Sequence, residues 1–321
     1  MKKILITGGA GFIGSYLANR LINDNYIVDI VDNQLRGDYS RLDPKVKIYN
    51  IDLTVFNELN KLPKDYDWIF HLAAVNGTDN FYSMQSIVFE VGVKSCLNIY
   101  DYFKHSGSSI IIASSAEVYQ TPSIVPTDEN VALIVPNIKN PRYSYGGSKI
   151  FSELLVMNYG LDFFEKSIVF RPHNIYGPNM GYKHVIPQLI NKIMHSEKNK
   201  NNVIDLVGSG LETRAFCYVD DIIDGLIILM DKGLDNEIYH IGNDHELSIL
   251  DLASKMIGFI NNEIEVRTGE TTHLGGTMRR CPDISKMRKL GYEPKVSIDN
   301  GLEKSIKWYL KNENKSNNKL L

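Results

Sequence analysis

The chain begins MKKILITGGAGFIG, and this stretch limits the folds open to it more than any other. Ile4, Leu5 and Ile6 form a short apolar run that reads as a buried strand. Gly8, Gly11 and Gly14 follow at intervals of three, and Ile13, Leu17 and Leu21 then recur at helical spacing. Strand, glycine turn and helix in that order offer a helix N-terminus to a dinucleotide pyrophosphate. Gly8 allows the tight turn, Gly11 the close approach of phosphate and Gly14 the packing of helix on strand. The spacing is GxxGxxG rather than the commoner GxGxxG, so its place between strand and helix gives it its weight.

The rest of the first half repeats this alternation. Strand-like runs cover Ile27–Asp32, Val46–Tyr49, Trp68–Leu72, Ile110–Ser114 and Val169–Phe170. Between two of them, Ile87, Val91, Cys96, Leu97 and Tyr100 make a helical stripe. Alternating β and α elements predict a doubly wound parallel sheet covered on both faces. Residues 121–142 hold four prolines and read as a long irregular loop, the kind that often carries function. A helix is expected from about Ser148 to Tyr159. Beyond Arg171, helical segments near Val185–His195, Asp221–Asp231, Ser248–Phe259 and Asn300–Leu310 alternate with short strands at Asn202–Leu206 and Glu237–Ile241. The expected organisation is a dinucleotide-binding domain over residues 1–172, rejoined by 215–245. A smaller C-terminal α/β substrate lobe takes 173–214 and 246–310, and a frayed polar tail takes 311–321.

Composition excludes several classes. The 321 residues suffice for a full core, and a net charge of −3 gives no reason to expect nucleic acid or an anionic membrane as partner. Cys96, Cys217 and Cys281 are too few and scattered for a disulfide framework or a zinc site, and suit the reducing cytoplasm. Lys2 and Lys3 precede an apolar run that Gly8 and Gly9 interrupt, well short of a signal peptide. The most apolar later stretch, Ile222–Met230, contains Asp224 and Gly225 and is too short to span a bilayer.

Asp32 ends the second strand, 18 residues after Gly14. A carboxylate there accepts hydrogen bonds from an adenosine ribose and repels a 2′-phosphate, which favours NAD over NADP. Arg36 reads as a solvated loop charge. Asp52, followed by Leu53, either reaches the adenine or caps the next turn through Thr54. Tyr145 and Lys149 stand four residues apart on one predicted helix face. An ammonium near a phenol favours the tyrosinate and lowers its pKa. Ser114 and Ser115 end the fifth strand, where a doubly wound sheet presents its ligand crevice.

The combination resembles an extended short-chain dehydrogenase/reductase of the nucleotide-sugar epimerase/dehydratase family. The matching stretches are TGGAGFIG, IVDIVD, HLAA at His71–Ala74, ASSAEVY at Ala113–Tyr119 and YSYGGSK at Tyr143–Lys149. Further on come FRPHNIYGP at Phe170–Pro178, ETRAFCYVDD at Glu212–Asp221 and RRCPDISK at Arg279–Lys286. The resemblance implies a Rossmann fold with a smaller substrate lobe, NAD as cofactor and a nucleotide diphosphate sugar as substrate. It implies that Ser115 assists Tyr145, that Tyr145 removes the sugar hydroxyl proton, and that Lys149 tunes Tyr145 and binds ribose. Cofactor contacts are implied at Phe12, Ile13, Asn33, Leu72, Ala73, Ala74, Ser114 and Pro172 besides Gly8, Gly11, Gly14, Asp32, Asp52 and Leu53. Sugar-nucleotide contacts are implied at Asn76, Asn174 and Val185, with Arg214 and Arg280 neutralising the diphosphate. A homodimer is also implied, with Ile99, Phe103, Phe151 and Leu155 as contacts or as core.

Family members share oxidation of a hexose hydroxyl, usually at C4, and differ in the fate of the keto sugar. Dehydratases resemble one another in a Thr/Ser-Asp-Glu run, and this chain has Ser115-Ala116-Glu117, without the acid. Sugar-acid decarboxylases tend to show Ser-Glu before Val-Tyr and an Arg two residues before Pro, as Arg280 stands before Pro282. Epimerases mostly carry a small residue where Glu117 stands, while ASSA and RPHNIYGP are similar to epimerases. Epimerisation is narrowly the leading expectation. Decarboxylation or dehydration with Glu117 as base is the alternative, and a net dehydrogenase stays open. A non-catalytic NAD-binding regulator would lack part of the Ser115, Tyr145, Lys149 set, which is complete here. Gln120 replaces the glycine that often follows the Val-Tyr pair.

Overall fold

The apolar runs become the strands of one parallel sheet. In the computed structural model, described over residues 1–269 and 277–312, these are β1 (Lys3–Thr7), β2 (Ile27–Val31), β3 (Lys47–Tyr49), β4 (Trp68–His71), β5 (Ser109–Ala113) and β6 (Ser167–Pro172). The strand Glu237–Ile241 pairs in parallel with β6 and completes a seven-stranded sheet. From that edge the order is Glu237–Ile241, β6, β5, β4, β1, β2, β3, so the direction of winding reverses beside β1. The crevice above the carboxyl ends of β1 and β4 is where such a sheet takes a ligand.

Burial explains the composition of these strands. Every residue of β4 and β5 is buried, because helices cover both faces. On one face, α1 (Phe12–Asn23) packs with the helix Val219–Lys232 through Leu17, Leu21, Ile222 and Leu226, and an Arg20–Asp224 ion pair of 2.8 Å joins them at the surface. After β4 the chain forms a short helix, α2 (Thr78–Ser83), which leads into α3 (Gln85–Phe103). On the other face of the sheet, α3 and α4 (Ser144–Leu154) lie side by side. Ile99, Phe103 and Leu155 are buried in this chain's own core, so these three are core residues rather than subunit contacts, and Phe151 packs against that core while staying partly exposed.

The helix expected from Ser148 starts earlier. Asn140 caps a 3-10 turn at Pro141–Tyr143 that feeds directly into α4, and the Gly146-Gly147 pair does not stop it. The helix then widens into one π turn at Leu155–Tyr159, closed by the Gly160 N–H on the Leu155 carbonyl at 2.8 Å. The second apolar cluster forms the smaller lobe. It holds Ile186, Ile190 and Ile193 of α5 (Val185–Lys198), Leu252 and Met256 of the helix Ile249–Ile260, and Leu302. No helix among the described residues is long and apolar enough to cross a membrane. Most of the expected tail, residues 313–321, lies outside the described residues.

One buried ion pair ties the sheet to α4. Glu153 lies one helical turn beyond Lys149, and its two carboxylate oxygens accept from Arg171 of β6, Nε at 2.9 Å and Nη2 at 2.6 Å. Ser114 donates to the same carboxylate, and Arg171 Nη1 also donates to Tyr119 Oη and to the Glu129 carbonyl. Removing one member of a buried pair leaves a bare charge. Arg171→Leu is therefore expected to destabilise the fold by about 3–5 kcal/mol, read from urea denaturation midpoints; a loss within experimental error would show that Glu153 is accommodated without its partner.

Candidate active site

The carboxyl ends of β1, β2, β4 and β5 open into a cavity of about 440 Å³. Its floor is the glycine turn. Gly8 adopts φ +66°, and a Cβ there would lie 2.9 Å from the Ala73 backbone. A Cβ on Gly14 would lie 2.3 Å from the Gly8 carbonyl oxygen, so helix and strand approach as only glycine permits. Gly11, Phe12 and Ile13 complete this wall at the N-terminus of α1. Asn33, Leu53, Leu72, Ala73, Ala74, Ser114 and Pro172 also line the cavity.

Asp32 lies at its far end and is buried. Backbone N–H groups of Ala10 (3.1 Å) and Gln34 (2.8 Å) donate to its carboxylate. Burial pushes its pKa up, and those two hydrogen bonds and the charge of Arg41 only partly reverse this. Each oxygen keeps accepting capacity for a ribose hydroxyl. Asp52 lines the cavity too, but one of its oxygens accepts from Thr54 N (2.9 Å) and Oγ1 (2.7 Å), the local turn arrangement. Arg36 is more than a solvated loop charge: although exposed, it lines the cavity, and its charge reaches Tyr145 and His184. The glycine cradle at a helix N-terminus supplies the donors, and an acidic residue at the end of β2 the acceptor, that an NAD molecule needs.

Ser115, Tyr145 and Lys149 meet at the centre. Ser115 caps the 3-10 turn Ala116–Val118, its Oγ accepting from the Glu117 N–H at 3.1 Å. Lys149 Nζ donates to the Ala113 carbonyl at 2.7 Å and stands 5.8 Å from the Tyr145 ring centroid. The expected lowering of the Tyr145 pKa is not seen. Burial pushes the phenol up to about 12, Glu117 adds to this, and hydrogen bonding with Ser115 and the charge of Arg36 oppose it. Burial also lowers the Lys149 ammonium to about 8, against the pull of Cys96 and Glu153. Both groups have lost their water, and that loss is the largest influence on each. Phe81 of α2 stacks on Tyr145, with ring centroids 5.3 Å apart and 14° between planes. Nothing in the sequence marks Phe81, because the short helix after β4 carries no motif of its own.

Beside this centre, Arg280 Nη1 donates to Glu117 Oε1 at 2.7 Å, joining residues 163 positions apart. Burial disfavours the Glu117 charge, but Arg280, with Arg142 and Arg214, outweighs it and holds the carboxyl below the usual range. Asn76 and Asn174 also line the cavity; the Asn174 side chain donates to the Ala215 carbonyl at 3.2 Å. Two expected contacts are not among the lining residues. Val185 packs in the first turn of α5 against the smaller lobe's core. Arg214 turns its Nη1 to the Thr213 carbonyl at 2.7 Å, and burial lowers its pKa to about 10. The charge of Arg214 nonetheless reaches Glu117 inside the cavity.

The model of the NAD dependent epimerase/dehydratase family matches residues 4–242. UDP-N-acetyl-alpha-D-glucosaminuronate decarboxylase from Bacillus cytotoxicus is 31% identical, covering 98% of this chain and 99% of the relative. UDP-glucose 4-epimerase from Thermotoga maritima, solved with UDP-glucose, superposes with a TM-score of 0.86 at 25% identity, over 97% of this chain and 99% of that one. The dTDP-glucose 4,6-dehydratase DesIV from Streptomyces venezuelae, solved with NAD, gives 0.84 at 26% identity over 97% and 98%.

Replacing Asp32 by Ala removes the charged acceptor at the far end of the cavity. Hydrogen bonds to a charged group contribute about 1.5–3 kcal/mol, so NAD affinity is expected to fall roughly 10- to 100-fold in calorimetric titration, while NADP loses its electrostatic handicap. Unchanged NAD affinity would remove Asp32 from the cofactor site.

Proposed function

Because the chain belongs to the NAD-dependent epimerase/dehydratase family, we propose that it acts on a nucleotide diphosphate sugar through a transient 4-keto intermediate, and that its outcome is decarboxylation of a sugar uronate. The observation that carries the outcome is the Glu117–Arg280 pair beside Tyr145. Simple C4 epimerisation, narrowly favoured on the sequence, asks for the Ser115, Tyr145, Lys149 set and makes no use of a desolvated carboxylate–guanidinium pair. Dehydration needs an acid next to Glu117, and Ala116 has none to give. The likeness to the Bacillus cytotoxicus decarboxylase over nearly the full length of both chains supports the same reading.

NAD, held by the Gly8–Gly14 turn and Asp32, would supply the hydride acceptor and donor at C4. Tyr145, in its ionised form, takes the proton of the C4 hydroxyl and Ser115 hydrogen-bonds the same oxygen; because burial favours the neutral phenol, that form depends on the Ser115 hydrogen bond and on the positive charges of Arg36 and of Lys149, held on the Ala113 carbonyl. Once C4 is a ketone, the C6 carboxylate is β to it. The C5–C6 bond breaks, carbon dioxide leaves, and the bond's electron pair moves onto the C4 oxygen, where Tyr145 and Ser115 hydrogen-bond it. C5 then takes a proton from a water oriented by Glu117, whose lowered pKa keeps it an acceptor and not an acid, and the hydroxide left behind is neutralised by a proton from bulk solvent. Arg280 faces the departing carboxylate, a role suited to its planar fork. A return of hydride to the opposite face without carbon loss would make the enzyme an epimerase, the second reading, which the Thermotoga maritima likeness favours.

Tyr145→Phe is expected to abolish turnover with NAD still bound; normal turnover by that variant would sink the mechanism. Mass spectrometry of products from a panel of UDP-, GDP-, CDP- and dTDP-linked uronates and neutral sugars separates the outcomes. Loss of carbon dioxide is expected, and loss of water or an isomer of equal mass would overturn decarboxylation. Glu117→Gln is expected to stop formation of the decarboxylated product by slowing protonation of C5, and full product formation without the carboxylate would remove Glu117 from the chemistry. Sustained NADH absorbance would instead identify a net dehydrogenase.

A further inference from the structure

We propose that Gln120 is a positioning residue that sets the Glu117–Arg280 pair against Tyr145. The inference rests on the part assigned to that pair in the proposed decarboxylation. Gln120 is buried and adopts φ +53°, a left-handed conformation that side chains disfavour and glycine adopts freely. Glycine would give this turn more easily, so the side chain is what the position retains.

That side chain has a specific engagement. Its Nε2 donates to the Glu117 carbonyl at 2.6 Å, latching the 3-10 turn that carries Glu117. The same amide lies against Gly146, the neighbour of Tyr145 in the first turn of α4. A Cβ on Gly146 would lie 2.6 Å from Gln120 Nε2 and 2.8 Å from the Glu117 carbonyl oxygen. The turn bearing Glu117 is thus wedged against the helix bearing Tyr145.

The backbone of Gln120 holds the other partner. Its carbonyl accepts from Arg280 Nη2 at 3.2 Å and from Thr277 Oγ1 at 2.8 Å, and Arg280 Nη2 also reaches Thr277 Oγ1 at 3.3 Å. The left-handed turn is what aims this carbonyl at them. One residue therefore touches the backbone of Glu117, the guanidinium of Arg280 and the helix start of Tyr145. Small displacements at such a junction cost rate, because misplacement of about 1 Å lowers turnover by roughly a hundredfold.

The test is Gln120→Gly in the NAD-loaded enzyme, with Gln120→Asn beside it. Glycine keeps the carbonyl and relaxes the backbone while deleting the amide latch; asparagine tolerates the left-handed turn but is one methylene short. Both are expected to keep or raise the thermal midpoint, leave KM for the nucleotide sugar nearly unchanged and lower kcat roughly 10- to 100-fold. A purely structural role predicts the reverse: a lower midpoint with kcat per folded enzyme intact, and that result overturns the proposal. A crystal structure of the Gln120→Gly holoenzyme keeps this test separate from the assignment of decarboxylation. A displaced or broken Glu117–Arg280 contact supports the positioning role whatever the product. A contact retained at 2.7 Å with full kcat overturns it, even where Glu117→Gln confirms the chemistry.

Discussion

The buried pair of Glu153 and Arg171 is the contact on which the working parts depend. Both side chains are almost completely withdrawn from water, and such a pair stabilises only if every remaining polar atom is satisfied. Here Ser114, Tyr119 and the Glu129 carbonyl provide those partners. Tyr119 in turn meets His240 Nε2 at 2.6 Å, which carries the network to the edge strand of the sheet. The pair therefore fixes α4 against the ends of β5 and β6. Tyr145 and Lys149 stand on α4, Ser115 follows β5, and Pro172 and Asn174 lie at and after the end of β6. A shift of this pair would move all of them together.

Burial sets the electrostatics of the site more than proximity does. Tyr145 and Lys149 are close, yet each is driven toward its neutral form because each has lost its hydration. Glu117 goes the other way, since three arginines outweigh its desolvation. The contribution of the Glu117–Arg280 pair to stability is therefore complete above the ordinary glutamate range and is lost as pH falls through the lowered pKa of Glu117. One centre thus combines a phenol that must ionise before it can act as base at the C4 hydroxyl and a carboxylate that is already charged.

The glycine turn, Asp32 and the Tyr145–Lys149 spacing were legible because each depends on local chemistry. A left-handed turn demands glycine at position 8, close packing demands it at position 14, and a helix places residues four apart on one face. Phe81 was not legible, since a phenylalanine on a short helix carries no sign that it stacks on a tyrosine 64 positions away. Arg214 shows the opposite limit: a motif placed it near the site, but the direction of its side chain, Nη1 turned to the Thr213 carbonyl, depends on packing. The assignment of Ile99 and Phe103 also needed the fold, because an apolar helix stripe looks the same whether it faces a core or a second subunit.

The sequence by itself determined the sheet, the dinucleotide cradle and the identity of the central Ser115, Tyr145 and Lys149, because period, turn chemistry and helix spacing are properties of neighbouring residues. Only the tertiary structure decided that Arg280 pairs with Glu117, that Gln120 spans the two, and that burial rather than Lys149 governs the Tyr145 phenol. Those outcomes depend on which distant segments meet and how much water they exclude, and no local pattern encodes either.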